Sequence, residues 1–78
     1  MSDKVYVAIY EHREGEEVSV HKTEAGAAAL KDDIAERWWD TELKGRPMPL
    51  NAIGEAYFHI MGERGEEFFS VHPCEVAE

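Results

Sequence analysis

The sequence predicts an α+β fold: a small antiparallel sheet, made of a β-hairpin and a C-terminal strand, packed by two helices in the order β-β-α-α-β. Three observations predict it. Two stretches of alternating β-branched and aromatic residues flank a glycine near the N-terminus, one long segment carries an unambiguous helical period, and a further aromatic and β-branched run closes the chain.

Lys4 to His12 (KVYVAIYEH) alternates Val5, Val7 and Ile9 against Tyr6, Ala8 and Tyr10, and Glu17 to Lys22 repeats the pattern with Val18 and Val20. Gly15-Glu16 suits a two-residue turn, which sets Arg13 opposite Val18 and Glu11 opposite Val20. In that register the five aliphatic residues share one face, expected to lie under the helices. Tyr6, Ala8, Tyr10, His12, Ser19 and His21 share the other, expected to stay open and to be where a homodimer begins.

Thr23 to about Lys44 is the long helix, with Thr23 as N-cap, Glu24 in the first turn and Gly45 as the stop. At about 100° per residue, Ala27, Leu30, Ile34 and Trp38 form one stripe and Asp32, Asp33, Glu36 and Asp40 gather opposite. Asp33 with Arg37 and Asp40 with Lys44 are i,i+4 pairs of the favourable orientation, each worth about 0.2 to 0.5 kcal/mol. Asn51 to Met61 reads as a second helix with Asn51 as its cap, although AYFHI also fits a strand turning at Gly62 to Gly65. Glu66 to Val71, extending toward Pro73, is the last strand, and Pro73 marks its end or an edge.

A chain of 78 residues makes one domain, 1–78, because a core that removes only about 60% of the unfolded surface cannot be divided. Hydrophobic content of 44% argues against disorder. Seventeen acids against eight Lys and Arg give a formal charge of -9, which repels free nucleic acid and favours a basic protein surface as partner. The lone Cys74 fits a reducing, cytoplasmic compartment, and no apolar run approaches the roughly 20 residues of a membrane span.

No enzymatic chemistry is expected. Ser19, Ser70 and Cys74 stand near histidines in sequence, but neighbours along a strand point to opposite faces, and no phosphate-binding glycine loop follows a strand. No catalytic residue, cofactor or metal is therefore assigned. The alternative, a small metal- or ligand-binding domain using His12, His21, His72 and Cys74, has no compact ligand spacing behind it. A stacking platform of Tyr6, Tyr10 and Phe68 would sit among Glu14, Glu16, Glu17, Glu66 and Glu67, the wrong charge for RNA.

What remains is a partner-binding surface. Asp32, Glu36 and Asp40 lie one turn apart, about 6 Å per step, with Asp33 alongside, a rigid ladder of anions suited to a basic groove. Trp39, about 100° round from the core stripe, is expected beside them as an exposed anchor. Its other role would be to lie over the apolar Gly45 to Leu50 loop. Glu14, Glu16 and Glu17 on the hairpin form the second candidate patch.

KVYVAIYEHREGEEVSV, TEAGAAAL, the WW pair and EAYFHIMGERGEEFFSV together resemble a family of short proteins often carried by phages and mobile elements. By size, acidity and general likeness the chain is also similar to small acidic phage-encoded anti-CRISPR proteins that act on a type I surveillance complex, subtype I-C among them. The resemblance supports a helix over Asn51 to Met61. It implies an inhibitor that occupies a Lys- and Arg-rich DNA-binding surface without chemistry, in the host cytosol, as monomer or homodimer. It assigns no site residues.

Overall fold

The computed structural model of the chain describes residues 3–76. Five elements follow in the predicted order: β1 (Asp3–His12), β2 (Gly15–His21), α1 (Glu24–Glu42), α2 (Ile53–Glu63) and β3 (Phe68–Val76). β1 is the central strand of a three-stranded sheet ordered β2-β1-β3 and runs antiparallel to both neighbours. Asn51 to Met61 resolves as helix, and β3 runs through Pro73, which an edge strand tolerates because one side of it needs no ladder donors.

The hairpin turns two residues earlier than predicted. His12 pairs with Gly15, so Arg13-Glu14 is the loop, and Ile9 and Val7 face Val18 and Val20. Arg13 and Glu14 keep negative φ and Gly15 takes φ 137°, so the glycine absorbs the twist after the turn instead of forming its centre. The loop is closed by the Glu14 amide donating to His12 Nδ1 at 3.2 Å. This register slides by an even number of residues, so the two faces keep the membership predicted for them.

Their roles are exchanged. The helices cover the face bearing Ala8 and Tyr10, with Phe69 of β3 paired to Tyr10, and leave the aliphatic face bare: Val18 is 62% and Val20 64% exposed. Volume and shape decide this over hydrophobicity. Tyr10 meets Phe58 edge-on, ring centroids 5.8 Å apart, and Phe58 stands against Tyr57 at 5.0 Å and Phe69 at 5.3 Å. Ala8 and Ala27, both fully buried, let the helix layer approach the sheet closely. A valine face offers neither the aromatic interlock nor the small residues. The tyrosine face is therefore core, not an open dimerisation surface.

α1 begins as predicted, with Thr23 Oγ1 accepting from the Gly26 amide at 3.0 Å, and ends when the Leu43 amide bonds back to Trp39 at 2.8 Å. Its buried residues are Ala27, Ile34, Ala35 and Trp39, continued by Leu43 at the cap. The dry stripe is thus rotated toward α2. Trp39, not Trp38, is the core tryptophan: it is 3% exposed, against 41% for Trp38. Its ring lies 6.4 Å from that of Tyr57, and its Nε1 donates to the Arg46 carbonyl at 2.9 Å. Trp39 as an exposed partner anchor is overturned by this packing, and it does lie under the Gly45 to Leu50 loop.

α2 is started in an unusual way. Asn51 does not cap it; the N-cap is Ala52, in the left-handed region at φ 52°, with no side-chain cap of its own. Asp32 of α1 supplies the missing acceptor, its Oδ1 taking the Gly54 amide at 2.8 Å. The helices are so close here that a Cβ on Gly54 would stand 2.7 Å from both Asp32 Oδ1 and Lys31 Cγ and 3.1 Å from the Lys31 carbonyl carbon. Lys31 Nζ reaches Glu55 at 2.7 Å across the same junction, and that hydrogen bond holds the Glu55 carboxyl below its ordinary range.

Candidate functional site

Exposed carboxylates stand on the outer side of α1, and a separate set on the hairpin lines a cleft between it and the helix. Among the predicted contact residues, Asp33, Glu36 and Asp40 are exposed on the outer side of α1. Asp33 pairs with Arg37 at 2.6 Å as predicted, whereas Asp40 and Lys44 form no ion pair, because the helix has ended before Lys44. Asp32 is engaged as the cap of α2, so it belongs to the scaffold. Glu36 and Asp40 are left as the carboxylates of the stripe without a basic partner among the described residues.

The hairpin acids separate. Glu16 pairs with Glu11 on the bare face of the sheet. Glu14 and Glu17 instead join the wall of a cleft of about 540 Å³ between the hairpin and α1. Leu30, Ile34 and the half-exposed Trp38 form its helix side, and Tyr10 and Glu67 lie at its base. His12 Nε2 lies 3.0 Å from Glu17 Oε2 at the hairpin end.

Glu67 is the residue sequence reasoning passed over. It is 6% exposed, yet it pairs with no Lys, Arg or His among the described residues. Two phenols hold it instead: Tyr10 Oη donates to Oε1 at 2.7 Å and Tyr57 Oη to the same oxygen at 3.0 Å. Burial, then the hydrogen bond to Glu67 and its charge, push both tyrosines well above their ordinary value near 10, so both remain donors. Oε2 takes no hydrogen bond from the described residues. Since no fully buried side-chain oxygen among the described residues lacks a partner, Oε2 keeps some exposure, and Glu67 is one of the residues that line the cleft. One signal of this was present in the sequence: Glu67 shares strand parity with Phe69 and Val71, hence with the helix-covered face.

Four carboxylates line the cleft, Glu14, Glu17, Glu42 and Glu67, against two guanidinium groups. Both of those are already committed and largely exposed: Arg13 lies 3.6 Å from Glu42 and Arg37 pairs with Asp33. The cleft thus carries negative charge over an apolar wall.

The metal alternative loses its geometry. His12 and His21 lie on the helix side of the sheet and His72 and Cys74 on the other, and no group of three His, Cys, Asp or Glu among the described residues is arranged to hold a metal ion. A platform of Tyr6, Tyr10 and Phe68 is equally divided, with Tyr10 in the core and Phe68 on the face opposite Tyr6. No described helix is long and apolar enough to cross a membrane. Comparison with known proteins finds no matching family model, curated protein or solved structure.

Proposed function

We propose that the protein is a non-enzymatic inhibitor that docks on a basic, nucleic-acid-binding surface of another protein and excludes the nucleic acid by occupancy. The observation that carries this reading is the pair Glu36 and Asp40, one turn apart on a rigid helix, exposed and without basic partners among the described residues, in a chain of net charge -9. A helix held by a packed core and by the junction at Gly54 presents those charges in fixed positions, so docking costs little ordering entropy. Complementary charge accelerates such docking and discourages wrong partners. The chain's size and acidity, which resemble those of small phage-encoded anti-CRISPR proteins, support a type I surveillance complex, subtype I-C first, in the host cytosol, as the target to test.

The test is a DNA-binding measurement on a purified type I complex with and without the protein. Target DNA should be displaced by the wild type. Glu36→Lys with Asp40→Lys should restore DNA binding while circular dichroism stays native, because neither side chain has an ion-pair or hydrogen-bond partner among the described residues. DNA binding unaffected by the wild type at saturating concentration would sink the reading for that target. Asp32 is left unchanged in this variant, since reversing it would remove the cap of α2.

A further inference from the structure

We propose that the cleft between the hairpin and α1 receives one arginine side chain of the basic partner, its guanidinium set on Glu67 Oε2 and its flat face along Trp38. This rests on the reading of the protein as a binder of basic surfaces and names the contact that anchors it.

A carboxylate this deeply buried is normally met by a cation or by hydrogen bonds to both oxygens. Glu67 has neither among the described residues, for its two donors share Oε1, while Oε2 keeps some exposure in a residue that lines the cleft. The phenols that hold Oε1 are neutral near neutral pH even at their ordinary value, and burial raises them further, so the clamp adds no competing charge. The protein's own guanidinium groups do not fill the place. Arg13 and Arg37 have side chains exposed by more than half, and each is already paired with another carboxylate, Glu42 and Asp33 respectively.

Shape and wall chemistry select the ligand. The cleft is an indentation of about 540 Å³ whose helix side is Leu30, Ile34 and Trp38, which suits an aliphatic stem and a planar head. Glu17 stands on the opposite wall, with Glu67 at the base. A guanidinium carries five donors in a plane, stacks on indole and is weakly hydrated, so it can address two carboxylates and an aromatic face at once. An ammonium is a point charge with a tighter water shell and uses less of this arrangement. An anion would meet four carboxylates.

The probe is N-acetyl-arginine methylamide, titrated into the intact protein and followed by amide and indole NMR shifts. Saturable shifts at Trp38, Tyr10 and Glu67 are expected, with the lysine analogue at least threefold weaker and the neutral citrulline analogue giving no saturation. Glu67→Gln should weaken binding at least tenfold. Because Glu67 also ties Tyr10 to Tyr57, Trp38→Ala and Glu17→Gln, both at the cleft surface, supply variants that keep the fold and should each weaken binding severalfold. Citrulline binding as well as arginine, or undiminished binding by Trp38→Ala and Glu17→Gln, would overturn the proposal. Agmatine binding more tightly than the blocked arginine would also overturn it, in favour of a free polyamine. Failure of the inhibitor reading shows up separately: the arginine probe would still bind the cleft while target DNA stayed on its complex.

Discussion

Replacing Tyr57 with Phe removes one of two hydroxyls from Glu67 and leaves the ring in place, which isolates what the hydroxyl contributes. The lost hydrogen bond to a charged group should cost about 1.5 to 3 kcal/mol in urea unfolding. The pH dependence is the sharper expectation. Tyr10 and Tyr57 titrate near 10 when unfolded and well above that in the fold, so the unfolded chain releases these protons first as pH rises. Their contribution is whole below pH 10 and is lost above it, at up to about 1.4 kcal/mol per pH unit for each tyrosine. Urea midpoints measured from pH 8 to 11 should be level and then fall, and Tyr57→Phe should flatten the fall. Strand parity sets Glu67 on the side of Phe69 and Val71, but it does not mark this one acid among seventeen for burial, which is decided by where two distant tyrosines converge. Trp38 and Trp39 were exchanged for a related reason. A helical period locates an apolar sector, but the second helix, packed on Ala35 and Trp39, decides which edge of it is sealed.

At the level of elements, the junction of α1 with α2 is where a small change does most. Asp32→Ala deletes the acceptor for the Gly54 amide and should cost about 1 kcal/mol, whereas Asp32→Asn, which keeps an oxygen, should cost less. Gly54→Ala drives a methyl against Asp32 and the Lys31 backbone and should lower stability by about 1 to 3 kcal/mol in chemical denaturation. An unchanged midpoint for Gly54→Ala would mean that the helices sit farther apart than described. Element order, the Thr23 cap and the Asp33 and Arg37 pair were legible because each depends on residues within one or two turns. The capping of α2 was not, since its acceptor comes from 22 residues upstream, on another helix.

Over the whole molecule, the two faces of the sheet carry different kinds of apolar residue, and the covered one is the aromatic face. Alternation in the strands divided the residues between faces correctly, but hydropathy alone chose the wrong face for the core. Aliphatic side chains outrank tyrosine and alanine on transfer, while packing two helices rewards interlocking volume and close approach. Val18→Thr and Val20→Thr should accordingly shift stability by no more than about 0.5 kcal/mol each, since both side chains are mostly in solvent already. Ala8→Val on the covered face should cost about 1 to 3 kcal/mol by overpacking. The contrast, read by thermal or chemical unfolding, reports which face bears the core.

The adjacent tryptophans also make the molecule its own spectrometer. Trp39, sealed by Tyr57 and hydrogen-bonded to Arg46, should emit in the blue and resist the neutral quencher acrylamide, while Trp38 at the cleft should emit further to the red and be quenched. Unfolding then moves the first signal and occupancy of the cleft the second, so two neighbouring positions in the chain give independent optical readouts without any label.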